Sequence, residues 1–249
     1  MRNKSVILTL TAFAIAALLL PGCASQGNAK RISSADKHMS TGNYMAAVQH
    51  YKDAQAQDDS PELSMRLATA LIKDGRFDAA LTELNRLDQD SAKADYLKAT
   101  CYLSLNDVAN AKTKLEKSLR QRPDDALALS LLGRIHFLQQ QFTQSAETYA
   151  NALAVSSNPV VREKLLYNLA IAQFRAGKFT EADQSFKQYL SKHDYVTEED
   201  EKLGGAIAYA AGDRQRALKH WQKLTHRERQ AILNALGDDH ATAQILVKN

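Results

Sequence analysis

At 249 residues, 45% of them hydrophobic, the chain is long enough to bury a sizeable core or to carry an array of small repeats. Ten Gly and four Pro are too few for a many-stranded β protein, and runs such as AKTKLEKSLRQR (residues 111–122) favour helix. The formal charge is only +4, and no basic block is interleaved with aromatics, so nucleic acid is a poor partner.

Residues 1–22 read as a processing signal, with Arg2 and Lys4 as the basic start and Val6 to Leu20 as the apolar run. The run is short for a transmembrane helix and ends abruptly at Pro21-Gly22. Removing it takes the formal charge from +4 to +2. The run leads directly into Leu20-Pro21-Gly22-Cys23, which resembles the bacterial lipobox, with Leu at −3 and Gly at −1 before a cysteine. Pro21 departs from the small or β-branched residue usual at −2. The resemblance implies diacylation of Cys23 and a covalent lipid such as palmitate there. Two or three acyl chains anchor a protein stably, where one would not. Ala24 replaces the Asp of the inner-membrane retention signal, so the lipobox rule implies the outer membrane, periplasmic side. The competing reading is an ordinary secretory signal with an incidental cysteine. The other cysteine, Cys101, lies on an apolar helix face and reads as a buried, inert thiol. A disulfide framework is excluded for a monomer.

Residues 23–31 read as the lipidated cysteine and a short polar tether. From Ile32 the sequence becomes helical hairpins, best seen in Leu166–Tyr189 (LYNLAIAQFRAGKFTEADQSFKQY). Apolar residues recur there every three or four positions on both sides of Gly177, the pattern of two amphipathic helices joined by a tight turn. Small residues that let the first helix approach its partner occur at Ala35, Ala68, Ala99, Gly133, Ala170 and Gly205, separated by 33, 31, 34, 37 and 35 residues. Twelve positions later come Ala47, Ala80, Ala111, Ser145, Ala182 and Ala217. Four further on come the large residues Tyr51, Leu84, Leu115, Tyr149, Phe186 and Trp221. Turn glycines are Gly42, Gly75, Gly177 and Gly212. Asn106 and Gln140 stand in the other two turns, and Pro61, Pro123 and Pro159 fall near repeat ends.

These columns resemble the tetratricopeptide (TPR) repeat over about residues 28–225. The resemblance implies an all-α TPR solenoid: a right-handed superhelix of about six helix-turn-helix repeats over 32–225, closed by C-terminal capping helices over 226–249. Thr197 with Asp200 reads as a helix N-cap followed by dipole-compensating carboxylates rather than a metal or substrate site. Thr225 with Glu228 reads as a capping box, starting a helix that Gly237 stops. Asp238 and Asp239 would cap a last helix through Val247.

No catalytic constellation is found. The seven histidines are scattered, and no HExxH, Cys/His cluster, GxSxG, GxxxxGK[ST] or GxGxxG occurs. The expectation is a non-enzyme with no cofactor beyond the lipid, no metal and no small-molecule substrate. Instead, the TPR resemblance implies that first helices line a groove for protein partners. The groove-facing candidates are Tyr96, Arg134, Phe137, Tyr167, Ile171, Phe174, Arg175, Lys202 and Tyr209. Aromatics beside arginine suit a peptide carrying apolar anchors and some acid, although some rings could instead pack between repeats. The paired Asn and basic residues of the TPR carboxylate clamp are missing, since Asn168 stands alone.

In its size, short tether and repeat number the chain is similar to the TadD-type lipoproteins of tight-adherence (Flp) pilus systems, and in layout to type IV pilus pilotins. That similarity implies an outer-membrane adaptor for assembling or localising a pilus or secretion apparatus, with a secretin or pilus components as partners. The alternatives are a scaffold recruiting cell-wall hydrolases or peptidases to the envelope, and an enzyme whose site is completed by a partner chain.

Overall fold

The computed structural model describes residues 21–87, 91–192 and 195–237, with side chains from Gln26 onward. Residues 1–20 of the leader expected over 1–22, and the last helix expected after Gly237, lie outside the described residues. Every regular element among these residues is helical, and they divide into two compact units, 1–114 and 115–249.

The first unit holds α1 (Pro21–Ser40), α2 (Tyr44–Gln55), α3 (Pro61–Lys73), α4 (Phe77–Asn85) and α5 (Ala92–Ser104). It also holds the start of α6 (Val108–Gln121), which runs across the division. Here α1 packs on α2, α2 on α3, α3 on α4, and α5 on both α3 and α4. The core is aliphatic and alanine-rich, with Leu67, Ala68 and Leu71 buried beside Ala80, Leu84 and Cys101. Burial pushes the Cys101 thiol up to about 12, so it stays protonated and inert. The Tyr51 hydroxyl donates to Asp36, whose carboxylate also accepts from Arg66 at 3.0 Å, so one acid joins α1, α2 and α3.

The second unit holds the end of α6, α7 (Ala126–Leu138), α8 (Phe142–Val155), α9 (Pro159–Arg175), α10 (Phe179–Leu190), α11 (Glu198–Ala210), α12 (Arg214–His220) and α13 (His226–Leu236). From α7 to α12 each helix packs on the next, and α13 returns onto α11.

The three sequence columns explain these pairings. All eighteen residues are buried. Glycine replaces alanine in the first column where the facing ring demands it. A Cβ on Gly133 would stand 2.9 Å from Tyr149, and one on Gly205 only 2.0 Å from Trp221 Nε1. Ser145 keeps the second column small while its Oγ donates to the Gly133 carbonyl at 2.8 Å, satisfying a hydroxyl that would otherwise be stranded at the crossing.

All six turns are closed alike. Gly42, Gly75, Gly177 and Gly212 take φ between 74° and 87°, while Asn106 and Gln140 adopt the same left-handed region at 62° and 59°. The next residue's N–H then bonds back five residues, as in Lys178 to Gln173 at 2.9 Å and Gln141 to His136 at 2.9 Å. Helix starts follow the expected chemistry: Pro61 and Pro159 occupy first turns behind Ser60 and Asn158, and full capping boxes form at Thr197–Asp200 and Thr225–Glu228.

One expectation is corrected. Ser25–Arg31, read as a flexible tether, belongs to α1, and Asn28 is buried within it. Its small polar residues, Gly27 among them, are poor helix formers, and packing of α1 on α2 supplies the stability that their composition lacks. No helix among the described residues is long and apolar enough to cross a membrane.

Two outcomes follow from the packing. Gly205→Ala should lower stability by about 1–3 kcal/mol, because the methyl must displace the Trp221 ring; urea unfolding reads this directly. Stability should also fall as pH rises through about 9 to 12. The folded chain holds the Cys101 proton from an ordinary 9.0 up to about 12, and the Tyr51 and Tyr149 protons from 10.0 up to about 12. That contribution is complete below the ordinary values and disappears above the folded ones, so melting temperatures measured from pH 8 to 12 should drop steadily.

Candidate functional site

Four of the nine groove candidates lie on α9, which is therefore the helix on which a site must be built. Its start is fixed by Asn158, whose Oδ1 accepts from Val160 N and Val161 N at 3.0 and 3.2 Å. Arg162 then ties it to the end of α8 by donating to the Leu153 and Ser156 carbonyls at 2.6 and 2.8 Å. Leu165, Leu166, Leu169, Ala170 and Ala172 bury the core side. The opposite side carries Lys164, Tyr167, Asn168, Ile171 and Arg175, none of them fully buried.

The candidates form two local clusters rather than one continuous stripe. Near the hairpin turns, Phe137 meets Phe142 edge-on at 5.2 Å, and the Arg175 guanidinium sits 4.5 Å over the same Phe142 ring. Phe174 packs against Phe179 at 5.7 Å and is only 5% exposed. Phe174 is therefore core and cannot serve as an exposed anchor, because Phe179 from the following helix closes over it.

At the other end of α9, Tyr167 packs against Tyr189 of α10 at 5.1 Å, and Tyr189 against Phe186 at 5.6 Å. Beside this aromatic pair lies a cavity of about 370 Å³. Its walls are Glu163, Lys164, Tyr167 and Asn168 from α9, Tyr189 from α10, and Thr197, Glu199 and Asp200 at the start of α11. Asp200 is nearly fully buried and its Oδ2 accepts from Thr197 N and Oγ1 at 3.0 and 2.8 Å. It also accepts from the Tyr189 hydroxyl, which burial first, and then the Asp200 charge, hold protonated well above the ordinary tyrosine range. Tyr167 is raised for the same leading reason, burial, with Asp200 and Glu199 adding to it.

The remaining candidates are already engaged or stand apart. Lys202 pairs with Glu198 and, at 3.6 Å, with Glu228, joining the first turns of α11 and α13. Tyr209 lies 6.1 Å from Trp221, and Ile171 packs on the surrounding core. Arg134 is exposed on α7. Tyr96, in the first unit, is half-buried against that unit's core. Sequence reasoning did not nominate Glu163, Lys164, Tyr189 or Glu199, and it assigned Thr197 and Asp200 to capping alone. The signal available was the run of four carboxylates opening α11, set a long connection after an aromatic residue near the end of α10.

Comparison with known proteins places these features in a family. Residues 38–101, 96–160 and 164–194 each match a tetratricopeptide repeat family, together more than half of the chain. No curated protein matches by sequence. Among solved structures, PilW, a widely conserved type IV pilus biogenesis factor, is similar with a TM-score of 0.70 and 23% identity over 84% of this chain and 99% of its own. PilF of Pseudomonas aeruginosa is similar with a TM-score of 0.69 and 15% identity, over 85% of this chain and 99% of its own. The APC/C hetero-tetramer Cut9–Hcn1 gives a TM-score of 0.69 at 16% identity, over 89% of this chain and 42% of that one. At such identities the likeness shows the fold alone.

Buried and exposed candidates make different demands on mutation. Phe174→Ala should cost about 3–5 kcal/mol of stability, as for a fully buried ring, while Arg134→Ala on the exposed face should stay within about 0.5 kcal/mol. Parallel urea titrations of the two variants check this.

Proposed function

The chain belongs to the tetratricopeptide repeat proteins, and on that premise we propose that it is a lipid-anchored adaptor helping to assemble or localise a pilus or secretion apparatus at the bacterial outer membrane. The observation that carries this reading is the end-to-end likeness to PilW, a type IV pilus biogenesis factor, matched over 99% of its own length, with PilF matched over the same share of its own. The likeness to Cut9–Hcn1 reaches only 42% of that chain and therefore supports the repeat fold without a shared layout.

Leu20-Pro21-Gly22-Cys23 supports the anchor, since a leader ending at an acylated cysteine would tether the protein while its helices face the periplasm. Two structural features support partner binding. The outer side of α9 combines tyrosine with charged and amide groups, and the cavity beside it joins three helices. TPR arrays bind proteins by presenting such surfaces on a rigid stack of hairpins. A tight-adherence or type IV pilus component, such as its secretin, is the proposed partner. No residue so placed needs to break or make a covalent bond, and the adaptor reading assigns none a catalytic role.

Cys23→Ser should abolish incorporation of labelled palmitate and remove the protein from the outer-membrane fraction. Deleting the gene should remove surface pili or leave the secretin misplaced. Unchanged fractionation of the variant would refute the anchor. Normal pili with a normally placed secretin, or co-purification of cell-wall hydrolases in place of pilus components, would refute the adaptor role.

A further inference from the structure

The cavity between α9, α10 and the start of α11 has a definite electrostatic character. Two tyrosine rings form an amphipathic wall, and carboxylates enter from two different helices, Glu163 from α9 and Glu199 from α11. Asp200 contributes charge but not a free ligand position, because its oxygens are occupied by Thr197 and Tyr189. The positive end of the α11 dipole, which would otherwise favour an anion, is already compensated by Glu198, Glu199, Asp200 and Glu201 in its first turn. Lys164 is the only cation among the lining residues, set against three carboxylates.

The two tyrosines feel these same carboxylates. Beyond burial, Tyr167 is held protonated by Asp200 and Glu199, and Tyr189 by Asp200 and Glu163, so the field where the rings meet the cavity is negative. A volume of about 370 Å³ lies at the small end of the usual range for ligand sites, about 300–1,000 Å³. It has room for one long side chain. A long aliphatic stem with a cationic tip matches the rings and the carboxylates, which outnumber Lys164: the stem lies along the rings, and the head meets their faces and the two glutamates.

We propose that this cavity receives a lysine or arginine side chain from the partner polypeptide, gripped by Tyr167 and Tyr189 and charge-paired with Glu163 and Glu199. The proposal rests on the protein-binding reading above and refines it. The recognised segment is basic at this point, in contrast to the acidic peptide that the arginines suggested from sequence. Such an attraction is screened by salt, so binding weakens as ionic strength rises.

The test uses the full chain, isotope-labelled and held in mild detergent, with the peptides acetyl-Ala-Ala-Arg-Ala-Ala-amide and its lysine, citrulline and glutamate counterparts as probes. The arginine and lysine peptides should shift the amide resonances of Tyr167, Tyr189 and Glu199, and the citrulline peptide should not. The double variant E163Q/E199Q should weaken the arginine peptide at least tenfold. If the double variant melts lower than the parent, the exposed single change Glu199→Gln should still weaken binding severalfold. Equal response to arginine and citrulline, preference for the glutamate peptide, or unchanged affinity in the variants would overturn the proposal.

The two levels fail separately. A pilus component that still co-purifies undiminished with E163Q/E199Q leaves the adaptor role standing and removes the cavity from it. Loss of any such partner from the parent chain removes the adaptor role, while the peptide arms still decide what the cavity binds.

Discussion

The crossing of two helices within each hairpin sets the terms for everything else in this protein. A first helix can lie close to its partner only where both carry a hydrogen, a methyl or, at Ser145, a hydrogen-bonded hydroxymethyl, and the large residue one turn on must then roll over the contact. Ala170 and Ala182 meet this condition under Phe186, and Gly205 and Ala217 meet it under Trp221. Where the ring lies directly over the facing position, glycine is required: Trp221 leaves no room for a Cβ on Gly205, and Tyr149 leaves almost none on Gly133. Interiors packed this closely transmit small changes of volume directly into strain. The crossing therefore fixes the spacing of the helices, and that spacing determines which side chains reach the surface beside α9.

Because this constraint is local and recurs, the sequence reveals it. A column of small residues about 34 apart, with a second column twelve positions later, needs no knowledge of tertiary structure. The turns are equally local. Asn106 and Gln140 take the backbone angles of the four glycines because the five-residue hydrogen bond that ends each helix requires a left-handed residue, whatever its side chain. Thr197 and Thr225 announce their capping boxes three residues ahead for the same reason. What sequence left hidden depends on neighbours that periodicity cannot place. Phe174 has the position of a surface residue, yet Phe179 from the next helix buries it. The Ser25–Arg31 stretch has the composition of a linker, yet packing continues α1 through it. The cavity is a purely tertiary object, made where the last turn of α10 leans on α9 just before α11 begins.

The acidic start of α11 shows how one local rule can serve two purposes. Four carboxylates in a first turn are more than a capping box uses, since Asp200 alone completes it with Thr197. Glu198 and Glu201 are drawn off by Lys202 and by His220, the latter at 2.6 Å. Glu199 is the one left at the cavity wall. Capping chemistry therefore accounts for Asp200 and ion pairing for its neighbours, but neither accounts for Glu199.

Exposed charges contribute little to stability, about 0–1 kcal/mol per ion pair, so exposed Glu199, unlike the buried cap Asp200, is nearly dispensable for folding. The core columns, by contrast, tolerate almost no change. This separation has a consequence for how partner specificity can vary in a repeat protein. Substituting Glu163 or Glu199 alters the field in the cavity while leaving the helix crossings intact, whereas substituting Gly205 or Phe174 disturbs the crossings themselves. In a hairpin array the side of a first helix that faces away from the core can therefore change without disturbing the crossings. The small columns remain because no other residues let the helices meet.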